Sequence, residues 1–200
     1  MSGATAVVLL DPYNDFASPL GKGWPLIREV ANDVDLIANL RRVLAEARRR
    51  DIPVVYAPHK RHRRGDGRHV RFPTPNQFLG RFLPFFAEGR YGGRFRKDLA
   101  PAPKDLVATE HAVASGFGGT DLHELLRSLG AERLVVCGLL TNTCVEATVR
   151  QAVDLGYHVT VLADGVAAWG HEDHAAGLEQ SLPQVAHSIL TTDEFVAALA

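Results

Sequence analysis

The chain has 200 residues, with 22 Lys and Arg against 23 Asp and Glu, so its formal charge is 22 − 23 = −1. Such a balance argues against general nucleic-acid binding, which needs a basic face to neutralise phosphates. Hydrophobic residues make up 46% of the chain, yet no apolar run approaches the roughly 20 residues of a membrane span. We therefore expect one domain over residues 1–200, in the cytoplasm, that binds neither nucleic acid nor membrane.

Apolar runs and helical periodicity alternate along the chain. A continuous apolar run indicates a strand covered on both faces, whereas apolar residues spaced three and four apart indicate a helix. Strands are predicted at 5–10, 53–57, 106–109, 133–138, 158–163 and 188–190. Helices are predicted at 28–49, 121–129, 143–155 and 172–182. This alternation predicts an α/β fold, a doubly wound (Rossmann-like) parallel sheet of about six strands with helices on both faces.

Residues 58–103 interrupt this alternation with a long irregular segment that is rich in proline and aromatic residues. Loops of this length are usually functional or lie at an interface. The basic run from Arg61 to Arg71 is either a solvated or intersubunit loop or a guide for an anionic substrate. Outside the segment, Phe16, Trp24 and Trp169 are candidates to line an apolar substrate pocket.

Polar residues follow the ends of three predicted strands. Asp11 follows the first, Glu110 and His111 follow the third, and the turn from Thr141 to Cys144 follows the fourth. Ligands of doubly wound sheets bind beyond these strand ends. A cysteine at a helix start can be a nucleophile and a carboxylate beside a dry core can be a base. Alternatively, Asp11 is a turn residue and Cys144 a small buried hydrophobe.

The two cysteines do not form a disulfide framework. Cys137 falls inside a predicted strand, where a structural role is favoured, and Cys144 falls at a predicted helix start. Reduced thiols are the default in a cytoplasmic protein. The sequence therefore argues against disulfide chemistry, a cysteine-rich zinc site and an iron–sulfur centre.

Three blocks of the chain resemble the isochorismatase-like cysteine hydrolase superfamily, which includes nicotinamidases and N-carbamoylsarcosine amidohydrolases. The blocks are DPYNDF from Asp11, SGF from Ser115 followed by TDL from Thr120, and GLLTNTCVEAT from Gly138. The resemblance extends from residue 5 to residue 192. It implies the doubly wound parallel sheet and a homodimer or homotetramer, with residues 58–103 at the interface.

The resemblance implies an Asp–Lys–Cys triad, of which two members are matched. Asp11 matches the aspartate and Cys144 the nucleophile, but the lysine is missing. Counting along the third strand puts Glu110 in its place, whereas counting back from the second block puts His111 there. We favour Glu110, because strand register is harder to shift than loop length. A displaced cation such as Lys22 is a further alternative.

The two candidates imply different chemistry. With His111 beside Cys144, a Cys–His–Asp relay can form in which the imidazole carries the proton. With Glu110 there, two carboxylates flank the thiol, and their mutual repulsion lets Asp11 and Glu110 share a proton.

The turn before the nucleophile carries further expected roles. The resemblance implies an oxyanion hole made by the backbone amides of Leu140 and Cys144, and a cis peptide between Leu139 and Leu140. Thr141 and Asn142, in the same turn, are expected to bind the substrate.

A metal site is not expected. Nicotinamidases of the family hold a metal through an Asp-x-His motif after the second strand, together with further histidines. The aspartate is absent here, and His59, His62 and His69 are loosely spaced among arginines that oppose a cation. We therefore predict no metal and no other cofactor.

These features predict a hydrolase that cleaves an amide, carbamoyl or related C–N bond of a small molecule through a Cys144 thioester. Two alternatives stay open. An isochorismatase-type hydrolase would cleave a vinyl ether without a thiol nucleophile. A non-catalytic ligand-binding protein would explain the loss of the lysine.

Overall fold

The computed structural model describes residues 4–66, 71–74, 77–78 and 82–199. The strands are β1 (Ala4–Leu10), β2 (Val54–Ala57), β3 (Leu106–Val107), β4 (Ala131–Leu139), β5 (His158–Ala167) and β6 (Ser188–Leu190). The α-helices are α1 (Asn14–Ala17), α2 (Trp24–Asp33), α3 (Leu36–Arg49), α4 (Leu122–Ser128), α5 (Glu146–Asp154), α6 (His171–Ala175) and α7 (Thr192–Ala198). The structure also has two π-helical turns (Thr141–Val145 and Ala176–Ser181) and two 3₁₀ turns (Lys97–Leu99 and Leu182–Gln184).

The six strands form one parallel sheet in the order β3-β2-β1-β4-β5-β6. The chain winds outward in one direction from β1 to β3 and in the other from β4 to β6. The switch point therefore lies between β1 and β4, where doubly wound sheets bind ligands. The predicted fold class is confirmed.

Helices cover both faces of the sheet because alternate strand residues point to opposite sides. Val7 and Leu9 of β1 pack with α2, α3 and α7, whereas Ala6, Val8 and Leu10 pack with α4 and α5. All five side chains are fully buried. Burial of a Val or Leu side chain contributes about 1.5–3 kcal/mol, so both layers stabilise the central strand.

The helix predicted at 28–49 is two helices. α2 ends at Asp33 and α3 starts at Leu36, and Asp35 between them has a left-handed φ of +50°. The Asn39 side chain donates to the Val34 carbonyl at 2.8 Å, a backbone group that the helix break leaves open. Asp and Asn compete for backbone hydrogen bonds and so favour breaks of this kind.

The C-terminal helix α7 was not predicted, although its start has a recognisable signal. Thr191 and Glu194 form a capping box, in which the Thr191 hydroxyl accepts the Glu194 amide and the Glu194 carboxylate accepts the Thr191 amide at 2.7 Å. A Thr-x-x-Glu motif before apolar residues marks a helix N-terminus. In the described part of the chain, no helix is both apolar and long enough to cross a bilayer.

Candidate active site

The ends of β1 and β4 approach each other closely at the switch point. Gly138 of β4 pairs with Leu10 of β1, and a Cβ at Gly138 would overlap with the Leu10 carbonyl oxygen. Its φ of +115° is also one that favours glycine. This glycine therefore allows Asp11, which follows β1, to meet the turn that contains Cys144.

The turn that contains Cys144, from Leu140 to Val145, begins at a cis peptide between Leu139 and Leu140, as the resemblance implies. The Leu140 carbonyl accepts the amides of Thr143 and Val145, each at 3.1 Å, so the chain forms a π-helical turn before α5. The amides of Leu140 and Cys144 thus lie at the two ends of one short turn. Cys144 is only 6% exposed and lies in the wall of a cavity.

Asp11 is held in place through its backbone and its carboxylate. Its φ of +52° lies in the left-handed region, which is uncommon for a residue other than glycine and often marks a functional position. The side chain is fully buried, and Oδ1 accepts the His59 amide at 2.6 Å. The same oxygen lies 3.2 Å from Nε2 of His111.

His111 is fixed by backbone bonds beyond the end of β3. Its amide donates to the Pro58 carbonyl at 2.9 Å, and its carbonyl accepts the Lys60 amide at 2.8 Å, which makes an isolated parallel bridge with His59. The His111 side chain is fully buried. In the Nε2–H tautomer, its ring therefore donates to Asp11 from a fixed position.

Asp11, His111 and Cys144 form one buried cluster. A carboxylate oxygen, a ring nitrogen and the sulfur of these residues all lie within 4.8 Å of one another. Burial raises the pKa of the Cys144 thiol, and the charge and hydrogen bond of Asp11 raise it further, while the Leu140 amide at the sulfur lowers it. These surroundings therefore favour the thiol form of Cys144 over the thiolate. The same three groups are also types that bind metal ions.

Glu110 does not face this cluster, which corrects our preference for it. Its carboxylate instead accepts the backbone amide of Arg61 at 3.0 Å and pairs with the Arg61 guanidinium. Glu110 lines a separate cavity of about 320 Å³ beside Tyr13. The Glu110 carboxylate therefore holds Arg61 and does not lie next to the Cys144 thiol.

The reason is a register shift of one residue. Tyr56 pairs with Val107, a separation of 107 − 56 = 51, but His59 pairs with His111, a separation of 111 − 59 = 52. One extra residue therefore lies between β3 and the bridge. Counting along an unbroken strand puts Glu110 opposite His59, and a slip of one residue turns the neighbouring side chain to the other face.

A cavity of about 580 Å³ opens above the cluster. Asp11, Leu140 and Cys144 line one part of it, together with Thr143 from the turn that contains Cys144. Aromatic side chains form another part, with Phe16 centred in a group of ring contacts at centroid distances of 4.6–5.5 Å. This aromatic wall consists of Phe16, Phe85, Phe86 and Trp169.

Of the side chains expected to bind substrate, Phe16 and Trp169 line the cavity. The other three point elsewhere, which corrects that expectation. Trp24 packs against the hydrophobic core. The Thr141 hydroxyl bonds to Nδ1 of His174 at 3.0 Å, and the Asn142 amide group donates to Asp173 at 3.1 Å. The helical turn directs both side chains to α6, so they hold the turn that contains Cys144 in place instead of lining the cavity.

Several cavity residues were not predicted to lie there. Thr143 was missed although it neighbours Cys144, because the face that each turn residue presents was not assigned. Phe85 and Phe86 come from the irregular segment, where sequence has no periodicity to indicate direction. Asp15 holds this part of the segment, since its Oδ2 accepts the Phe86 amide at 2.7 Å.

The candidate cations and metal ligands have other contacts. Lys22 donates its ammonium to the Pro84 carbonyl at 2.8 Å, so it does not replace the lysine beside Asp11. His59 Nδ1 bonds to the Lys60 carbonyl at 2.9 Å. The His62 amide donates to the Phe86 carbonyl at 3.0 Å, and His69 lies outside the described residues.

Comparison with known proteins agrees with this architecture. The family model for the isochorismatase domain matches residues 5–193. The chain belongs to the isochorismatase family. The expectation of a hydrolase of this family is thereby confirmed, whereas the homodimer or homotetramer stays a prediction.

Similar proteins have names that describe related chemistry. A ureidoacrylate amidohydrolase of Pseudomonas syringae pv. syringae is 32% identical over 187 residues, 85% of this chain and 73% of the relative. An Arabidopsis thaliana protein named "Probable inactive nicotinamidase" is 29% identical over 175 residues, 87% of this chain and 86% of the relative. The crystal structure of an N-carbamoylsarcosine amidase from Thermoplasma acidophilum has a TM-score of 0.71 at 25% identity and covers 95% of this chain and 97% of its own.

Proposed function

We propose that this isochorismatase-family protein hydrolyses an amide, carbamoyl or related C–N bond of a small molecule, with Cys144 as the nucleophile. The observation that carries the proposal is the contact of the Cys144 thiol with the Asp11 carboxylate in the wall of a cavity, with the Leu140 amide at the sulfur. A nucleophile, a base and an oxyanion donor are the parts that acyl transfer needs.

In the first half of the reaction, Asp11 takes the thiol proton and the sulfur attacks the substrate carbonyl carbon. The carbonyl oxygen becomes an oxyanion, which the backbone amides of Leu140 and Cys144 stabilise. Asp11 then passes the proton to the leaving nitrogen, the C–N bond breaks, and an amine and a Cys144 thioester result. A buried site suits this chemistry, because its donors need little reorganisation as charge develops.

In the second half, water attacks the thioester carbonyl carbon while Asp11 accepts one of its protons. The same amides stabilise the second oxyanion. The C–S bond then breaks, the proton returns to the sulfur, and the acid product leaves. Atoms and protons balance over the two halves, and Asp11 is the carboxylate in both.

We assign His111 a positioning role. Its Nε2 lies at the Asp11 oxygen that also accepts the His59 amide, so two donors orient the carboxylate. Hydrogen bonds to a charged group typically contribute about 1.5–3 kcal/mol. An imidazole N–H supplies such a bond, whereas a lysine would supply it together with a permanent charge.

We further infer that the substrate carries a flat apolar or aromatic group. The aromatic wall offers ring faces and edges to such a group, and aromatic contacts contribute about 0.5–1.5 kcal/mol beyond area burial. A cavity of about 580 Å³ is of the size that small-molecule sites have. The names of the ureidoacrylate amidohydrolase and of the N-carbamoylsarcosine amidase support hydrolysis of a C–N bond, not a particular ring.

The decisive experiment is Cys144→Ala, assayed on a panel of aromatic and aliphatic amides and carbamoyl compounds. We expect the wild-type protein to turn over at least one compound and to show the acyl adduct on Cys144 by mass spectrometry after a rapid acid quench. Cys144→Ala should lose both signals. Cys137→Ala is the matched control, since Cys137 is a buried strand residue whose thiol lies at the Val8 carbonyl.

Other outcomes would support other functions. Turnover of these compounds by Cys144→Ala would contradict covalent catalysis through this thiol. Absence of turnover across the panel would favour a non-catalytic role, which the name "Probable inactive nicotinamidase" of the Arabidopsis thaliana relative also supports. A fold control by circular dichroism separates these outcomes from misfolding.

A further inference from the structure

The buried cluster of Asp11, His111 and Cys144 has a second chemical capacity. Carboxylate, imidazole and thiolate are the three ligand types that zinc takes in proteins. Their donor atoms all lie within 4.8 Å of one another. A tetrahedral zinc ion with ordinary bond lengths holds such atoms about 3.3–3.6 Å apart. Shifts on the order of 1 Å therefore bring the three groups into a zinc-binding geometry.

Two atoms of this cluster are buried without a nitrogen or oxygen partner among the residues that the structure describes. They are Oδ2 of Asp11 and Nδ1 of His111, and both side chains are fully buried. Buried polar atoms are normally hydrogen-bonded, so each such exception needs a partner of some kind. A cation bound to Oδ2 would satisfy the first atom, in place of the hydrogen bond that the Asp11 carboxylate accepts from the Cys144 thiol in the metal-free site.

The second atom supplies what the ring needs to bind a metal. His111 shares the hydrogen on Nε2 with Asp11, and this nitrogen must give it up to coordinate an ion. Nδ1 takes up that hydrogen in the metal-bound form, where this N–H has no acceptor among the described residues. A lysine at this position would have no free electron pair and would repel a cation, so the histidine changes what the cluster can bind.

We propose that Asp11, His111 and Cys144 form an inhibitory site for a thiophilic divalent cation of the zinc type. Zn²⁺ replaces the thiol proton, which leaves to solvent, so that a Zn–S bond forms and no group is oxidised or reduced. The ion would enter from the cavity, which both Asp11 and Cys144 line. Inhibition rests on the proposed function, because the metal ties up the nucleophile and its base, whereas binding does not depend on catalysis.

Cobalt(II) provides a test that is independent of turnover. We expect Co²⁺ to give a thiolate-to-metal charge-transfer band in the near ultraviolet when it is added to the reduced protein, and Zn²⁺ to remove that band by competition. Zn²⁺ should also inhibit hydrolysis reversibly, with activity restored by EDTA. The apparent affinity for Zn²⁺ should be the same in the spectroscopic and the kinetic titrations.

Variants identify the ligands. Cys144→Ser should abolish the charge-transfer band, and His111→Lys should weaken Zn²⁺ binding by about 100-fold or more, since even outer-shell partners contribute 10–100-fold. His111→Lys replaces a metal ligand with a cation, so whatever hydrolysis this variant retains should no longer be inhibited by Zn²⁺. His111→Asn serves as the second variant if the lysine form does not fold. Cys137→Ala should bind Co²⁺ like the wild type.

The outcomes separate the two proposals. A charge-transfer band that survives Cys144→Ser, or the absence of any band in folded, fully reduced protein, would overturn the metal site. If the band is present but the protein hydrolyses nothing, the metal site stands and the hydrolase proposal fails. Inhibition that persists in His111→Lys and His111→Asn would show that zinc acts elsewhere.

Discussion

The floor of the cavity, formed by Asp11 and Cys144, and its aromatic wall are built in different ways. Asp11 follows β1 directly, and Cys144 lies in the turn that follows β4. His111 is fully buried behind this floor, where it bonds to Asp11, and two backbone bonds tie it to the chain that follows β2. Phe85 and Phe86 come instead from the irregular segment. They are held by the bond of the Phe86 amide to the Asp15 carboxylate and by ring contacts with Phe16.

This difference suggests that the floor carries out the reaction and the wall recognises the substrate. Side chains fixed by neighbouring strand ends keep their distances to one another, which proton transfer and nucleophilic attack require. Side chains on a loop can vary without disturbing the sheet and so suit recognition. We therefore expect changes in the floor to lower kcat and changes in the wall to raise KM.

Among variants that keep the Cys144 thiol, the largest effect should come from Asp11→Asn. The amide cannot take the thiol proton, so turnover should fall by about 10²–10⁴-fold. At the same time the thiol should become more reactive to iodoacetamide. Because a nearby negative charge disfavours a thiolate, the Asp11 carboxylate raises the pKa of Cys144, and its removal lowers that pKa. Alkylation at pH 8, followed by mass spectrometry, checks this.

Alkylation of the wild-type protein should rise steeply only at alkaline pH, because burial and Asp11 hold the pKa of Cys144 well above that of a free thiol. In Asp11→Asn the same rise should begin at lower pH. Asp11→Asn should therefore lower the rate of hydrolysis and raise the rate of Cys144 alkylation. If alkylation also falls in a folded Asp11→Asn variant, the carboxylate does not act on the sulfur.

A smaller effect is expected from the wall, where Trp169→Leu removes a ring that meets Phe16 edge-on at 5.3 Å. We expect kcat/KM for an aromatic amide to fall about two- to twelvefold, which corresponds to about 0.5–1.5 kcal/mol. Most of the change should be in KM. Steady-state kinetics with an aromatic and an aliphatic substrate measure it, and the aliphatic substrate should be affected less.

Trp24→Leu is the matched control for the wall. This second tryptophan packs against the core rather than lining the cavity. It should lower the thermal stability of the protein and leave the preference for aromatic substrates unchanged. Equal loss of preference in the two variants would mean that the wall does not select the ring.

The sequence predicts the floor better than the wall, for physical reasons. Apolar runs predict the parallel strands, and strand ends then locate Asp11 and Cys144. The local pattern does not show that β3 ends at Val107, so it does not locate the extra residue between Val107 and His111. Phe85 and Phe86 occupy positions set by tertiary contacts, such as the bond to Asp15, and no periodicity encodes these contacts.

The smallest effect is expected from Glu110→Gln, which removes one carboxylate charge by the same chemical change as Asp11→Asn. The Glu110 side chain is 21% exposed and bonds to Arg61, and partly exposed ion pairs contribute only about 0–1 kcal/mol. We expect kcat and KM within about twofold of wild type. The lost ion pair should lower the free energy of unfolding slightly, and it does not contact a reacting group. Thermal unfolding and steady-state kinetics, measured side by side with Asp11→Asn, decide the matter. A loss of turnover as large as that of Asp11→Asn would restore the unshifted register, in which Glu110 and not His111 faces the thiol.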